Sequence, residues 1–232
     1  LDFYAPQVVS LRDGRVIMIA WMQMWCRTMP TAVDGWAGAC TLPRDLCVKN
    51  GKLMQTPVKE IEKYRKNPVE YSDVEINKRT ELYGVKGTKI ELSVKISMGN
   101  ADTAGIKLFE SENNYAEIYY DKKCGKVVFD RSHAGVKIDC DKKEKDAYIR
   151  SVNIENSGDI ISFRIFLDVS SCEVFINDGE KAMTSNVYTA ERGEGISFFS
   201  SSDGVNISNV GANVLNNGGA KIISLTKYDI EV

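Results

Sequence analysis

Ile90-Glu91-Leu92-Ser93-Val94-Lys95-Ile96-Ser97-Met98 alternates between apolar and polar side chains. Successive side chains of an extended chain point to opposite faces, so this run predicts a strand with one buried and one wet face. Ile161, Phe163, Ile165, Leu167 and Val169 repeat the pattern against Ser162, Arg164, Phe166 and Asp168. Cys172 to Ile176 then runs into Asn177-Asp178-Gly179-Glu180, residue types that tolerate positive φ and mark a tight hairpin. Further strand-like segments lie near residues 104–110, 115–121, 126–130, 148–154, 195–200, 206–214 and 221–230. Many short strands punctuated by turns predict an all-β chain whose larger part is an antiparallel β-sandwich.

Working outward to the N-terminus, Val16-Ile17-Met18-Ile19-Ala20-Trp21 is a short apolar run after Asp13-Gly14-Arg15, and it predicts a strand buried on both faces. Trp36 to Leu42 and Arg44 to Lys49 are two further strand candidates. Asn50-Gly51 predicts a tight hairpin from which Lys52 to Thr56 returns. The pattern changes at Pro57-Val58-Lys59-Glu60-Ile61-Glu62-Lys63-Tyr64-Arg65. Proline is pre-set for a helix start, Val58 and Ile61 share a face, and Asn67-Pro68 ends the run. The chain therefore divides into residues 1–57, a helical linker over 58–68, and a C-terminal unit over 69–232.

The 232 residues are 43% hydrophobic with a net charge of −2, enough for a sizeable core and no electrostatic reason to expect nucleic acid or an anionic membrane. No apolar run is long enough to span a bilayer. Six cysteines are present, none in a Cys-x-x-Cys pair, and the single histidine, His133, sits in the polar turn Asp130-Arg131-Ser132-His133-Ala134-Gly135. Zinc spacings are absent, and no phosphate-binding or dinucleotide motif implies a cofactor. The cysteines read as thiols of a reducing compartment, with disulfides as the alternative. Leu1 is not an initiator methionine, so a leader is not legible. Lys142-Lys143-Glu144-Lys145-Asp146 reads as a solvated loop.

One stretch is unusual. Asp2-Phe3-Tyr4-Ala5-Pro6-Gln7 is followed by Ala20-Trp21-Met22-Gln23-Met24-Trp25 and by Gly35-Trp36-Ala37-Gly38, and all three tryptophans fall between residues 21 and 36. Aromatic faces stack on sugar rings and carboxylates accept hydrogen bonds from sugar hydroxyls; the alternative is that these rings are core anchors of a sheet.

These segments resemble glycoside hydrolase family 32. So do Thr41-Leu42-Pro43-Arg44-Asp45-Leu46, Gly51-Lys52-Leu53 with Gln55 and Pro57-Val58, Phe129-Asp130-Arg131-Ser132, and the run from Arg164 to Tyr188. The resemblance implies that residues 1–57 are the last blade of a five-bladed β-propeller, cut from its neighbours, and that the rest is a lectin-like β-sandwich of two antiparallel sheets. The family hydrolyses β-fructosides such as sucrose, sucrose 6-phosphate and fructans with retention, which needs two closely spaced carboxyl groups. Its nucleophile lies in a Trp-Met-Asn-Asp-Pro-Asn-Gly type motif, a stabilising Asp in Arg-Asp-Pro, and its acid/base in Glu-Cys. None of these occurs here: Arg44-Asp45 is followed by Leu46, and Cys172-Glu173 is the reverse order. The resemblance thus implies no catalytic residue, no metal and no cofactor in this chain, which would begin after the catalytic machinery. It implies substrate-binding roles for Asp2 as a hydroxyl acceptor, for Trp21 as a wall of the pocket, and for Tyr4. The segments look most like those of the bacterial sucrose and sucrose-6-phosphate hydrolases, so a cytoplasmic location is expected. The expected partners are a β-fructoside bound through the missing propeller, and either that propeller portion or a second copy packed on the blade. Two other functions fit the residues: a non-catalytic carbohydrate-binding sandwich, and a structural module that mediates dimers.

Overall fold

The computed structural model describes residues 2–140, 148–155, 158–202 and 219–232. The strand expected over 206–214 and the charged loop at 142–146 lie outside these residues. Among the described residues the regular structure is almost wholly β.

Residues up to 57 form a four-stranded antiparallel sheet, ordered β1-β2-β4-β5. Its strands are β1 (Tyr4–Ser10), β2 (Val16–Trp21), β4 (Arg44–Lys49) and β5 (Lys52–Pro57). Asn50 and Gly51 take φ of 52° and 75°, the backbone of a primed hairpin turn between β4 and β5. Between β2 and β4 lie β3 (Arg27–Thr28) and a 3-10 turn over Pro30–Asp34. The segment Trp36 to Leu42, expected as a strand, contributes only an isolated bridge between Cys40 and Trp21. β2 is also not buried on both faces: Met18 and Ala20 are buried, whereas Ile19 on the other face is 38% exposed. Every residue of β1 is exposed.

The helical linker expected over 58–68 is shorter, a 3-10 turn over Lys59–Tyr64. Strand β6 (Arg65–Ile76) follows directly. Asn67-Pro68 lies inside β6 rather than ending an element, with Asn67 at φ 47°. β6 is an edge strand, where a residue without an N–H is tolerated, and the pairing with its neighbour slips at this point.

The C-terminal unit is two six-stranded antiparallel sheets. One has the order β13-β11-β10-β9-β17-β7, built from β7 (Thr80–Lys86), β9 (Thr103–Glu110), β10 (Ala116–Asp121), β11 (Lys126–Asp130), β13 (Ile149–Asn153) and β17 (Gly195–Ser201). The other has the order β16-β15-β14-β8-β18-β6, adding β8 (Ile90–Ser97), β14 (Ile160–Asp168), β15 (Ser171–Ile176), β16 (Lys181–Asn186) and β18 (Ala220–Ile230). The alternating runs pair as their pattern dictates, with Ile161, Phe163 and Ile165 opposite Ile96, Val94 and Leu92. These side chains meet Ile106, Ile118, Phe129 and Phe198 of the facing sheet in one buried core. Each such aliphatic or aromatic side chain contributes about 1.5–3 kcal/mol by leaving water.

Strand β12 (Asp139–Cys140) leaves the sandwich to pair with β3. It ties a sandwich loop to the same end of the blade that carries Trp21 and Trp25.

Candidate functional site

Tyr4 opens β1 and Trp21 closes β2, and the two residues are direct cross-strand partners. Their rings meet edge to face with centroids 6.5 Å apart. Trp25, in the loop after β2, completes a cluster at 6.1 Å from Tyr4 and 5.8 Å from Trp21, again edge to face. Such mutual contacts fix ring orientation. Trp25 nonetheless keeps 76% of its surface exposed and Tyr4 39%. Gly38 lies behind Trp21 at φ 75°, where an added Cβ would sit 2.3 Å from the indole nitrogen and 2.7 Å from Gln23 Oε1. The result is a half-open cluster of three aromatic rings at one end of the blade.

Asp2, expected to accept bonds from sugar hydroxyls, is fully buried. Arg27 donates to Oδ1 and Arg131 to Oδ2. The backbone N–H of Asn186 also donates to Oδ2, at 2.8 Å, and the N–H of Asp2 donates to the Thr184 carbonyl at 2.9 Å. Its oxygens are thus occupied by the protein, because a buried carboxylate needs compensating charge. Asp2 is an anchor behind the cluster, and Tyr4 and Trp21 are the residues that reach its surface.

A second buried ion pair binds the blade to the sandwich, and sequence reasoning did not assign it. Arg44 Nη2 donates to Glu173 Oε2 at 2.7 Å and to Thr184 Oγ1 at 2.6 Å, while Nη1 donates to Gln55 Oε1 at 2.9 Å. The guanidinium lies 4.7 Å from the ring centroid of Phe3 and 5.2 Å from that of Phe175, so cation–π contacts add to the pair. The Leu42 N–H donates to Glu173 Oε1 at 2.6 Å. Burial pushes the Glu173 carboxyl up from the usual range, opposed by Arg44 and the Leu42 N–H. The β15–β16 hairpin tip forms a third contact: the Gln55 N–H donates to the Gly179 carbonyl at 2.9 Å. Gly179 has φ 90°, and a Cβ there would lie 2.2 Å from the Gln55 oxygen, so glycine is required by both backbone and approach.

His133 stacks on Tyr115 with centroids 4.9 Å apart. Among the described residues, no group of three His, Cys, Asp or Glu side chains is placed to hold a metal ion, and no helix is long and apolar enough to cross a membrane. Among the described residues, Cys26, Cys40, Cys47, Cys124 and Cys172 form no disulfide.

The model of the N-terminal domain of glycosyl hydrolases family 32 matches residues 1–57, and that of the family's C-terminal domain matches residues 60–214. The chain belongs to glycoside hydrolase family 32. Sucrose-6-phosphate hydrolase of Escherichia coli is 36% identical to this family member over 201 residues, 86% of the chain and 39% of the relative. The enzyme of the same name from Staphylococcus xylosus is 31% identical over 231 residues, 99% of the chain and 42% of the relative. Levanase of Bacillus subtilis is 28% identical over 220 residues, 89% of the chain and 32% of the relative. The chain thus spans about two-fifths of the length of the first two relatives. The fold is that of solved family 32 structures. Sucrose-6-phosphate hydrolase from Lactobacillus gasseri superposes with a TM-score of 0.76 at 21% identity, covering 99% of this chain and 41% of that one. Fructan 1-exohydrolase IIa from Cichorium intybus, in complex with 1-kestose, gives 0.76 at 21% identity, covering 99% and 48%. The chain is accordingly a partial family 32 polypeptide, a propeller blade followed by the β-sandwich.

Proposed function

We propose that this chain is the last-blade-and-sandwich portion of a retaining β-fructosidase acting on sucrose, sucrose 6-phosphate or short fructans. In this reading it supplies one wall of the sugar pocket and the structural support behind that wall. It is inactive alone, because retaining hydrolysis needs a nucleophile and an acid/base about 5–5.5 Å apart and the family's carboxylate motifs are not in its sequence. The observation that carries the wall assignment is the half-exposed Tyr4–Trp21–Trp25 cluster, held edge to face at one end of the blade. Relatives whose names specify sucrose-6-phosphate hydrolase, raffinose invertase and levanase support the substrate class. Five cysteines without a disulfide among the described residues fit a reducing, cytoplasmic setting.

The test uses the full-length β-fructosidase containing this chain. Trp21→Ala should raise KM for sucrose or sucrose 6-phosphate at least tenfold, with far-UV circular dichroism unchanged. An unaltered KM sinks the wall assignment.

The blade also favours a packing partner. Among the described residues, ten of the fifteen exposed large hydrophobic residues lie between Tyr4 and Leu53, among them Val8, Val9 and Ile19. An apolar surface of that kind marks an interface. It fits the neighbouring blades of the propeller, and in their absence a second copy of this chain.

A further inference from the structure

Asn186, the last residue of β16, binds the blade twice. Its backbone N–H donates to Asp2 Oδ2 at 2.8 Å, and its side-chain Nδ2 donates to the Met22 carbonyl at 2.6 Å. Asp2 lies two residues before Tyr4, and Met22 directly follows Trp21. Asn186 is only 2% exposed, so neither bond competes with water. Arg131, also from the sandwich, donates to Asp2 Oδ2 and to the Asn186 carbonyl, the latter at 2.6 Å. One sandwich residue thus holds both strand ends that carry the aromatic cluster.

The local sheet does not hold them equally well. Pairing of β1 with β2 is regular from Gln7 to Ser10 but shifts between Tyr4 and Gln7. Ala5 has φ 47°, and Pro6 has no N–H to give to the ladder. Tyr4 is therefore separated from the regular part of its strand by a bulge, and on its other side the anchored residue Asp2 lies two positions away. Trp21 is bridged to Cys40 and the Met22 N–H donates to the Ala39 carbonyl at 2.7 Å; beyond them the chain leaves β2 for the loop that carries Trp25, with the Met22 carbonyl held by Asn186.

We infer that Asn186 is a positioning residue for the pocket wall. Its amide fixes Trp21 through the Met22 carbonyl, and its backbone, with Arg131, fixes Tyr4 through Asp2. This inference rests on the reading of Tyr4 and Trp21 as a sugar-binding wall, and it gives the sandwich a part in substrate binding without contact to the sugar.

All three tryptophans lie in residues 21–36 and none in the sandwich, so a sandwich variant can be read in blade fluorescence. Asn186→Ala in the 232-residue chain removes the donor to Met22 and leaves the backbone bond to Asp2. Far-UV circular dichroism should be unchanged, while the near-UV signal of the coupled rings falls by at least a third and tryptophan emission shifts to the red. Asn186→Asp puts a carboxylate against the Met22 carbonyl and beside Asp2, and should lower the near-UV signal further. Should Asn186→Asp not fold, Asn186→Ala, which adds no charge, carries the comparison. Wild-type near-UV and emission spectra in a folded Asn186→Ala protein overturn the inference. In the full-length enzyme, the same variant should raise KM several-fold with little change in kcat. A changed spectrum with an unchanged KM overturns the wall reading and leaves the positioning intact.

Discussion

Arg44→Met is the most informative single perturbation of the blade–sandwich junction. The side chain is 2% exposed, and methionine retains most of its length while deleting the charge. Glu173 would keep only the Leu42 N–H, and the Thr184 hydroxyl would lose its donor. Removing one partner of a buried pair costs about 3–5 kcal/mol, because the other charge stays desolvated. With a urea m-value of about 2–3 kcal/mol/M, the blade midpoint should fall by about 1–2 M. Tryptophan fluorescence reports the blade, and far-UV circular dichroism is dominated by the sandwich strands. In Arg44→Met the fluorescence transition should precede the dichroism transition. The deficit should shrink between pH 8 and pH 5, since Glu173, already raised by burial, can escape its cost by taking up a proton. Arg44→Met with Glu173→Gln should recover part of the loss, because no charge is then left buried. Coincident transitions at the wild-type midpoint would refute the reasoning, since the pair would then not be what holds the blade down.

Three further outcomes are expected. Glu117 is 5% exposed, and burial, together with Asp130 across the strand, raises its carboxyl to about 7 against Lys107. Its contribution to stability is present below about pH 4.5 and is lost as pH rises through about 7, so Glu117→Gln should be neutral at pH 4 and stabilise by up to about 3 kcal/mol at pH 8.5; thermal melts at both values check the sign. Gly179→Ala meets both a φ of 90° and the Gln55 oxygen and should cost about 1–3 kcal/mol, read as an earlier fluorescence transition in urea. The isolated chain should self-associate through its exposed blade, and Val8→Lys with Val9→Glu should shift it toward monomer in sedimentation velocity; a wild-type chain monomeric at 100 μM would count against the exposed-face argument.

The sandwich was legible because most of its strands bury a single face. Ile90 to Ser97 and Ile161 to Leu167 carry that alternation, and both form strands with the expected side inside. The pattern misled at two places: Val169, expected on the buried face, lies beyond the strand and is exposed, and Glu91, expected on the wet face, is fully buried, because Arg65 and Arg164 both bind it. β6 escaped notice because Asn67-Pro68 signals a break, and only its place at a sheet edge makes the proline harmless. The blade was harder. Val16 to Trp21 has the composition of a doubly buried strand, yet Ile19 stays exposed on its outer face. Tyr4 and Trp21, singled out from the sequence, are brought together by the fold, whereas the burial of Asp2 between two arginines was not legible. A short carboxylate beside aromatics looks like a sugar ligand, and the arginines that claim it lie 25 and 129 residues away. Arg44 and Glu173 pair across 129 residues, with no local signal that would join them.

The claim on which the rest depends is that this chain contributes a wall and a scaffold but no reacting carboxyl group. Fructose release from sucrose and sucrose 6-phosphate by the purified 232-residue chain is the direct measurement. The account predicts a rate indistinguishable from buffer. Turnover in the ordinary enzymatic range, about 1–10³ s⁻¹, would contradict it.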